Sequence, residues 1–173
     1  MTKGELLQMS DQIEVRVGTP DDLDRAMEWA SLAAIDNALV DPDKHKLLQM
    51  FWPALNCQNG IMGIIGEPGK PFEGAILLTV GELWYSPSPV LEERVVFVNP
   101  EFRSAKGGRA RKLCEFAKSA AKQLDLPLAI GILSNKRTAA KIRLYQRMFG
   151  EPVGVYFLYG GKTGLEKQIT EGN

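Results

Sequence analysis

One histidine, His45, and two cysteines, Cys57 and Cys114, are all that this 173-residue chain has of those types. A single imidazole excludes any site built on two histidines. The sequence has no C-x-x-C pair, no G-x-S-x-G nucleophile turn and no metal-ligand spacing, so no metal site is expected. An excess of one charge is lacking as well: 21 basic and 21 acidic residues cancel, whereas a dedicated nucleic-acid binder carries a basic surplus. No apolar run approaches the roughly 18 residues of a membrane span. Residues 1–12 lack the basic-then-apolar form of a signal peptide. Gly160-Gly161-Lys162-Thr163 has the ending of a phosphate-binding loop, but Tyr156 stands where its first glycine is required.

What is present reads as an ordinary globular chain, 45% hydrophobic and 24% charged. It is long enough to bury a sizeable core in one domain. That domain is expected over residues 13–160, between a polar leader (1–12) and a polar tail (161–173). Ile13–Val17 alternates as a strand. Thr19-Pro20-Asp21-Asp22 is a helix start, with Leu23, Ala26, Met27, Ala30 and Ala34 on the buried side. Asp41-Pro42-Asp43 repeats it ahead of Leu47, Leu48, Phe51 and Leu55, with Pro53 disturbing the end. Strands follow near Ile61–Ile65 and Ala75–Val80, joined through the turn cluster Glu67-Pro68-Gly69-Lys70-Pro71. Beyond Ser86-Pro87-Ser88-Pro89, further strands are expected at Arg94–Val98, Leu128–Leu133 and Val153–Tyr159. Helices are expected at Gly107–Leu124 and Lys136–Phe149.

The most telling stretch is Val95–Ala110. A β-branched run ends at Pro100, crosses a turn holding Arg103, Lys106 and Arg109 around Gly107 and Gly108, and opens into an amphipathic helix. In that helix Ala110, Leu113, Cys114, Ala117, Ala120, Ala121 and Leu124 recur at helical spacing. The first backbone N–H groups of a helix are unpaired and the helix dipole is positive there, so glycines at this point let an anion approach. A turn that only reversed the chain would have no need of three cations. Cys114 on the apolar face reads as a buried free thiol, which fits a reducing cytoplasm.

Val98-x-Pro100-x-x-Arg103-x-x-Lys106-x-Gly108-Arg109-Ala110 resembles the acetyl-CoA signature of the GNAT N-acetyltransferases, V-x-P-x-x-R/Q-x-x-G-x-G/A. Lys106 stands in place of the first glycine, with Gly107 displaced by one. The element order β-α-α-β-β-β-α-β-α-β is also that of a GNAT domain. The resemblance implies an α/β (α+β) fold with a central, mostly antiparallel mixed sheet flanked by helices and splayed between the strands that hold CoA. It implies acetyl-CoA as cosubstrate, held by the backbone at Phe97 and Val98 and by the turn Arg103, Ser104, Ala105, Lys106, Gly107, Gly108 and Arg109. It implies transfer of the acetyl group by direct attack of a primary amine, which a small molecule, a peptide or a modified base would supply.

Ile142-Arg143-Leu144-Tyr145-Gln146-Arg147-Met148 resembles the L-Y-x-K/R-x-G-F element, whose tyrosine protonates the CoA thiolate. Asn135 resembles the asparagine that opens the same helix and bonds the CoA arm, at ten residues before Tyr145 rather than seven. An alkyl amine with a pKa near 10.4 costs roughly 4–5 kcal/mol to deprotonate at pH 7, so a base helps. Glu92 and Glu93, just before the signature strand, are the candidates, with Glu82 third. Adjacent strand residues face opposite ways, so only one of the pair can meet the acceptor.

Lys136, Arg137, Lys141, Arg143 and Arg147 crowd one helix. Such runs are ordinarily solvated faces, and this one also has the charge to meet the CoA 3′-phosphate or a nucleic acid. Two other readings therefore stand: an acyl-CoA-binding module with little turnover, and a nucleic-acid-associated protein. Only one closing strand is evident where GNAT domains have two. Either part of the acceptor wall is missing or a second subunit of a homodimer supplies it.

Overall fold

The computed structural model describes residues 13–104, 108–134 and 137–160. Five strands make one mixed sheet in the order β1-β2-β3-β4-β5: β1 (Arg16–Val17), β2 (Gly60–Ile65), β3 (Gly74–Glu82), β4 (Pro89–Val98) and β5 (Leu128–Ala129). Neighbours are antiparallel except β4 and β5, which run parallel. Among the described residues four α-helices flank the sheet: α1 (Leu23–Asn37), α2 (Lys44–Leu55), α3 (Gly108–Leu124) and α4 (Thr138–Phe149).

Local chemistry sets the helix starts. The Asp22 carboxylate accepts from the Thr19 N–H at 2.9 Å and from both terminal nitrogens of Arg16 at 2.8 and 2.7 Å. This closes a short 3-10 turn, Pro20–Asp22, ahead of α1. For α2 the cap is Asp43, whose Oδ1 accepts from the Lys46 N–H at 2.7 Å, two residues later than the Asp41 start that the sequence suggests. Pro53 is carried inside α2, two residues before its end.

Strand alternation divides the core into two layers. Met62, Ile64, Ala75, Leu77 and Phe97 meet Trp29 of α1 and Phe51 of α2 on one face; Ile65, Ile76, Leu78 and Leu91 meet Leu113 and Ala117 of α3 on the other. Gly63 is needed at the second interface, because a Cβ there would stand 2.7 Å from the Phe116 ring.

Several expected boundaries move. β4 begins at Pro89 rather than Arg94, so Glu92 and Glu93 lie within the signature strand. β1 and β5 shrink to two residues each. Val153–Tyr159 is not a strand: no ladder forms there, and Val153, Val155, Tyr156, Phe157, Leu158 and Tyr159 are all exposed. Its β-branched and aromatic composition favours a strand, but a strand needs an edge to pair with, and β5 offers only two residues. No helix among the described residues is long and apolar enough to cross a membrane.

Candidate active site

Two features of β4 open the sheet. Its pairing with β5 covers only Leu91 with Leu128 and Glu92 with Ala129. On the other side, the register with β3 shifts between Leu77, opposite Val95, and Leu78, opposite Glu93, leaving Arg94 as the extra residue of a bulge. A bulge bends its strand and increases the local twist. Beyond Glu93, β4 therefore parts from β5, and α3 and α4 border a cleft of about 330 Å³ along Val96, Phe97 and Val98.

The two candidate bases diverge at this point. Glu92 lies opposite Thr79 and diagonal to Gly81, where a Cβ would stand 2.5 Å from its Oε2. Its carboxylate pairs with Arg94 at 2.5 Å. Glu93 alternates with Leu91 towards α3 and α4. There its Oε2 accepts from the Gly131 N–H at 3.3 Å and from the Tyr145 hydroxyl at 3.4 Å. Burial is the main influence on Glu93 and lifts its carboxyl from 4.5 to about 7, against those two hydrogen bonds and the charge of Lys141. Tyr145 is buried and packs edge-on against Phe149 at 5.6 Å. Desolvation, with Glu93 alongside, raises its phenol far above the usual range and keeps it protonated. The buried Cys114 thiol borders the same cleft and is pushed up to about 12, chiefly by burial, so it stays a thiol. Glu82, the third candidate, ends β3 opposite Pro89, away from this cluster in the ladder.

Arg103, Arg109, Arg137, Lys141, Arg143 and Arg147 all border the cleft. Two of them are held by carboxylates. Arg103 pairs with Asp36 near the end of α1, donates from Nε to the Val98 carbonyl at 2.8 Å and lies over the Phe97 ring at 5.1 Å. Arg109 binds Glu73 at 2.7 Å and the Phe102 carbonyl at 3.2 Å. The Phe97 carbonyl accepts from the Trp29 indole at 3.3 Å while Phe97 pairs with Ala75 in the ladder, so of the two expected backbone positions Val98 is the one whose carbonyl, with one bond from Arg103, can accept a second. Gly108 opens α3, and a Cβ there would meet only Ile13, at an ordinary 3.5 Å. Ser104 is exposed. Ala105, Lys106, Gly107 and Asn135 lie outside the described residues. α4 opens at Thr138, seven residues before Tyr145, and the Thr138 hydroxyl bonds to the Ser134 carbonyl at 3.2 Å.

A second cavity, about 540 Å³, borders Arg109 from Glu14, Glu67 and Glu73. Arg16 borders it too, but both arginines are already paired with carboxylates, Asp22 and Glu73, which disfavours a polyphosphate there.

No family model matches the chain, and no curated protein matches it in sequence. Its shape does match solved structures. Aminoglycoside acetyltransferase AAC(6′)-Iy, in complex with a bisubstrate analogue of CoA, is similar at a TM-score of 0.62 and 17% identity, over 87% of this chain and 99% of that one. The chain has the GNAT acetyltransferase fold. AAC(6′)-Ih of Acinetobacter baumannii is similar at 0.59 and 15%, over 88% and 99%. A possible acetyltransferase of Clostridium difficile gives 0.62 and 18%, over 87% and 98%. Within this GNAT fold the parting of β4 from β5 matches the splayed sheet that the resemblance implied, and Tyr145 and the basic residues of α4 border the cleft that it opens. Asp36, Asn37 and Trp29, which from α1 bond Arg103, Lys141 and the Phe97 carbonyl behind the cleft, carried no motif that would have singled them out.

Proposed function

We propose that the protein is an acetyl-CoA-dependent N-acetyltransferase that passes the acetyl group to a primary amine by direct attack. The observation that carries this reading is the Glu93–Tyr145 contact, set where β4 leaves β5 and inside a cleft bordered by cations. Arg143 and Arg147, one helical turn apart, supply positive charge for the phosphates of the donor, with the α3 N-terminus beside them. Thr138, at the spacing of seven, opens α4 where the family's asparagine would stand.

Glu93 is the base on this reading. A carboxyl at about 7 is half ionised at neutral pH, the condition in which a group both accepts and returns protons efficiently. It takes the proton of the incoming amine while Tyr145 gives its hydroxyl proton to the departing thiolate. The Tyr145–Glu93 hydrogen bond then carries the proton back to the phenol. The contact at 3.4 Å is long for an O–H···O bond, as catalytic contacts in free enzymes often are. Glu92, held by Arg94 on the opposite face, takes no part in this relay.

Acceptors named for the similar structures are aminoglycosides; for this chain the class is a primary amine. A second copy belongs to the same reading. Val153–Tyr159 exposes an apolar run in each chain, and two copies that pair this run with each other take it out of water reciprocally. A cytoplasmic setting suits its free thiols.

Incubating the protein with acetyl-CoA and a panel of primary amines, and following thiol release, tests the function. Turnover with at least one amine is expected, and bound CoA without thiol release on any of them would favour a binding module. The basic residues of α4 border a concave cleft rather than a flat face, which favours a compact polyanion over a nucleic acid, and failure to bind DNA or RNA at low salt would dismiss that reading.

A further inference from the structure

Lys141 stands apart from its neighbours on α4. Its side chain turns inward and donates from Nζ to Asn37 Oδ1 at 2.7 Å, while Arg137, Arg143 and Arg147 are exposed. It borders the cleft one helical turn before Tyr145, and side chains so spaced lie about 5–6 Å apart at Cβ. Burial is the main influence on its ammonium and lowers its pKa; Arg103 and Arg137 act in the same direction, Asp36 and Glu93 against. A lysine in this position holds a larger share of neutral amine than a solvated one. It also has Glu93 nearby to receive a proton.

We infer that Lys141 is itself an acetyl acceptor, so that the protein acetylates its own cleft when no external amine competes. The inference rests on the cleft being the acetyl-CoA site. In the step, the Nζ lone pair forms a C–N bond to the thioester carbonyl carbon and the C–S bond breaks. The proton lost from nitrogen goes to Glu93, Tyr145 gives its proton to the thiolate, and Glu93 restores Tyr145. An amide replaces a thioester, with no oxidant, reductant or metal consumed. The product is neutral, so the modified cleft has one cation fewer with which to hold a polyanionic donor, and the reaction limits further use of the site.

The test incubates the full chain with acetyl-CoA and no added amine, then measures intact mass and maps the modified peptide. CoA is titrated calorimetrically into the same preparation. One acetyl group per chain is expected, on Lys141 and ahead of the exposed Lys44 and Lys70. It should form about tenfold or more slowly in Glu93→Gln and be absent in Lys141→Arg, which keeps the charge. CoA binding with acetyl groups only on exposed lysines overturns this inference and leaves the acetyltransferase reading intact. Absence of CoA binding overturns both.

Discussion

The Tyr145 hydroxyl meets Glu93 Oε2 at 3.4 Å across the cleft, joining the helix that carries the basic run to the strand that carries both candidate bases. Burial governs the protonation state of both, and the contact adjusts it: the Tyr145 hydrogen bond favours the Glu93 carboxylate, and Glu93 helps keep the phenol neutral. If the two act as one relay, their losses are not additive. Tyr145→Phe keeps the ring and its contact with Phe149, so fold and CoA affinity should hold while kcat falls about 10²-fold or more. Glu93→Gln should cost a similar factor, with recovery at high pH where the amine ionises unaided. The double variant should be little worse than either single one. Multiplicative losses in steady-state kinetics would show that the residues act separately.

Glu93 also predicts a pH dependence of stability. A carboxyl raised from 4.5 to about 7 keeps a proton in the folded state that the unfolded chain has released. Stability therefore falls as pH rises from about 4.5 to 7 and stays reduced above, by roughly 3 kcal/mol at most at about 1.4 kcal/mol per pKa unit. Glu93→Gln removes this dependence. Denaturant unfolding should find it close to wild type at pH 4.5 and more stable, by about 1–3 kcal/mol, at pH 8. Equal stability differences at both pH values would contradict the assignment.

Arg103 and Arg147 should separate structure from binding. Arg103 is tied to Asp36 and to the Val98 carbonyl, so Arg103→Ala leaves a buried carboxylate unpaired and should destabilise the fold by about 2–4 kcal/mol. Arg147 is exposed at the cleft. Arg147→Ala should leave the melting temperature within a degree or two of wild type, since surface changes stay within about 0.5 kcal/mol, and still weaken CoA binding. Thermal unfolding and calorimetry on the two variants check this split.

Glu92 provides a control beside Glu93. Its carboxylate is matched by Arg94 and sits over Gly81. Glu92→Gln should change the pH–rate profile little, whereas Glu93→Gln should displace its rising limb. A displaced limb in Glu92→Gln alone would move the base to the other face of the sheet.

The elements that sequence made legible were those whose signals are local. The apolar stripe of α3 survives residue by residue at Leu113, Cys114, Ala117, Ala120 and Ala121, because helical periodicity needs no distant partner. Thr19, Pro20 and Asp22 likewise act within one turn. What sequence missed depends on pairing at a distance. Val153–Tyr159 reads as a strand from composition, yet the two-residue β5 gives it no ladder. The choice between Glu92 and Glu93 depends on register and on the bulge at Arg94, which no pattern announces. Arg103 was read as an anion ligand from its motif; it does border the cleft, and its pairing with Asp36, 67 residues away, adds a tie from α1 to the end of β4 that the motif did not announce. Lys141 looked like one more solvated cation until Asn37, 104 residues away, accounted for its inward turn.

Calorimetric titration of CoA into the wild-type chain, beside an Arg143→Ala/Arg147→Ala double variant and Tyr145→Phe, tests the account most directly. Binding of one CoA per chain is predicted, weakened by about tenfold or more when both arginines are lost, since each charge-assisted contact contributes about 1.5–3 kcal/mol. Tyr145→Phe should bind as wild type does. No binding by the wild type, or binding indifferent to the loss of both arginines, would contradict the placement of an acetyl donor in this cleft.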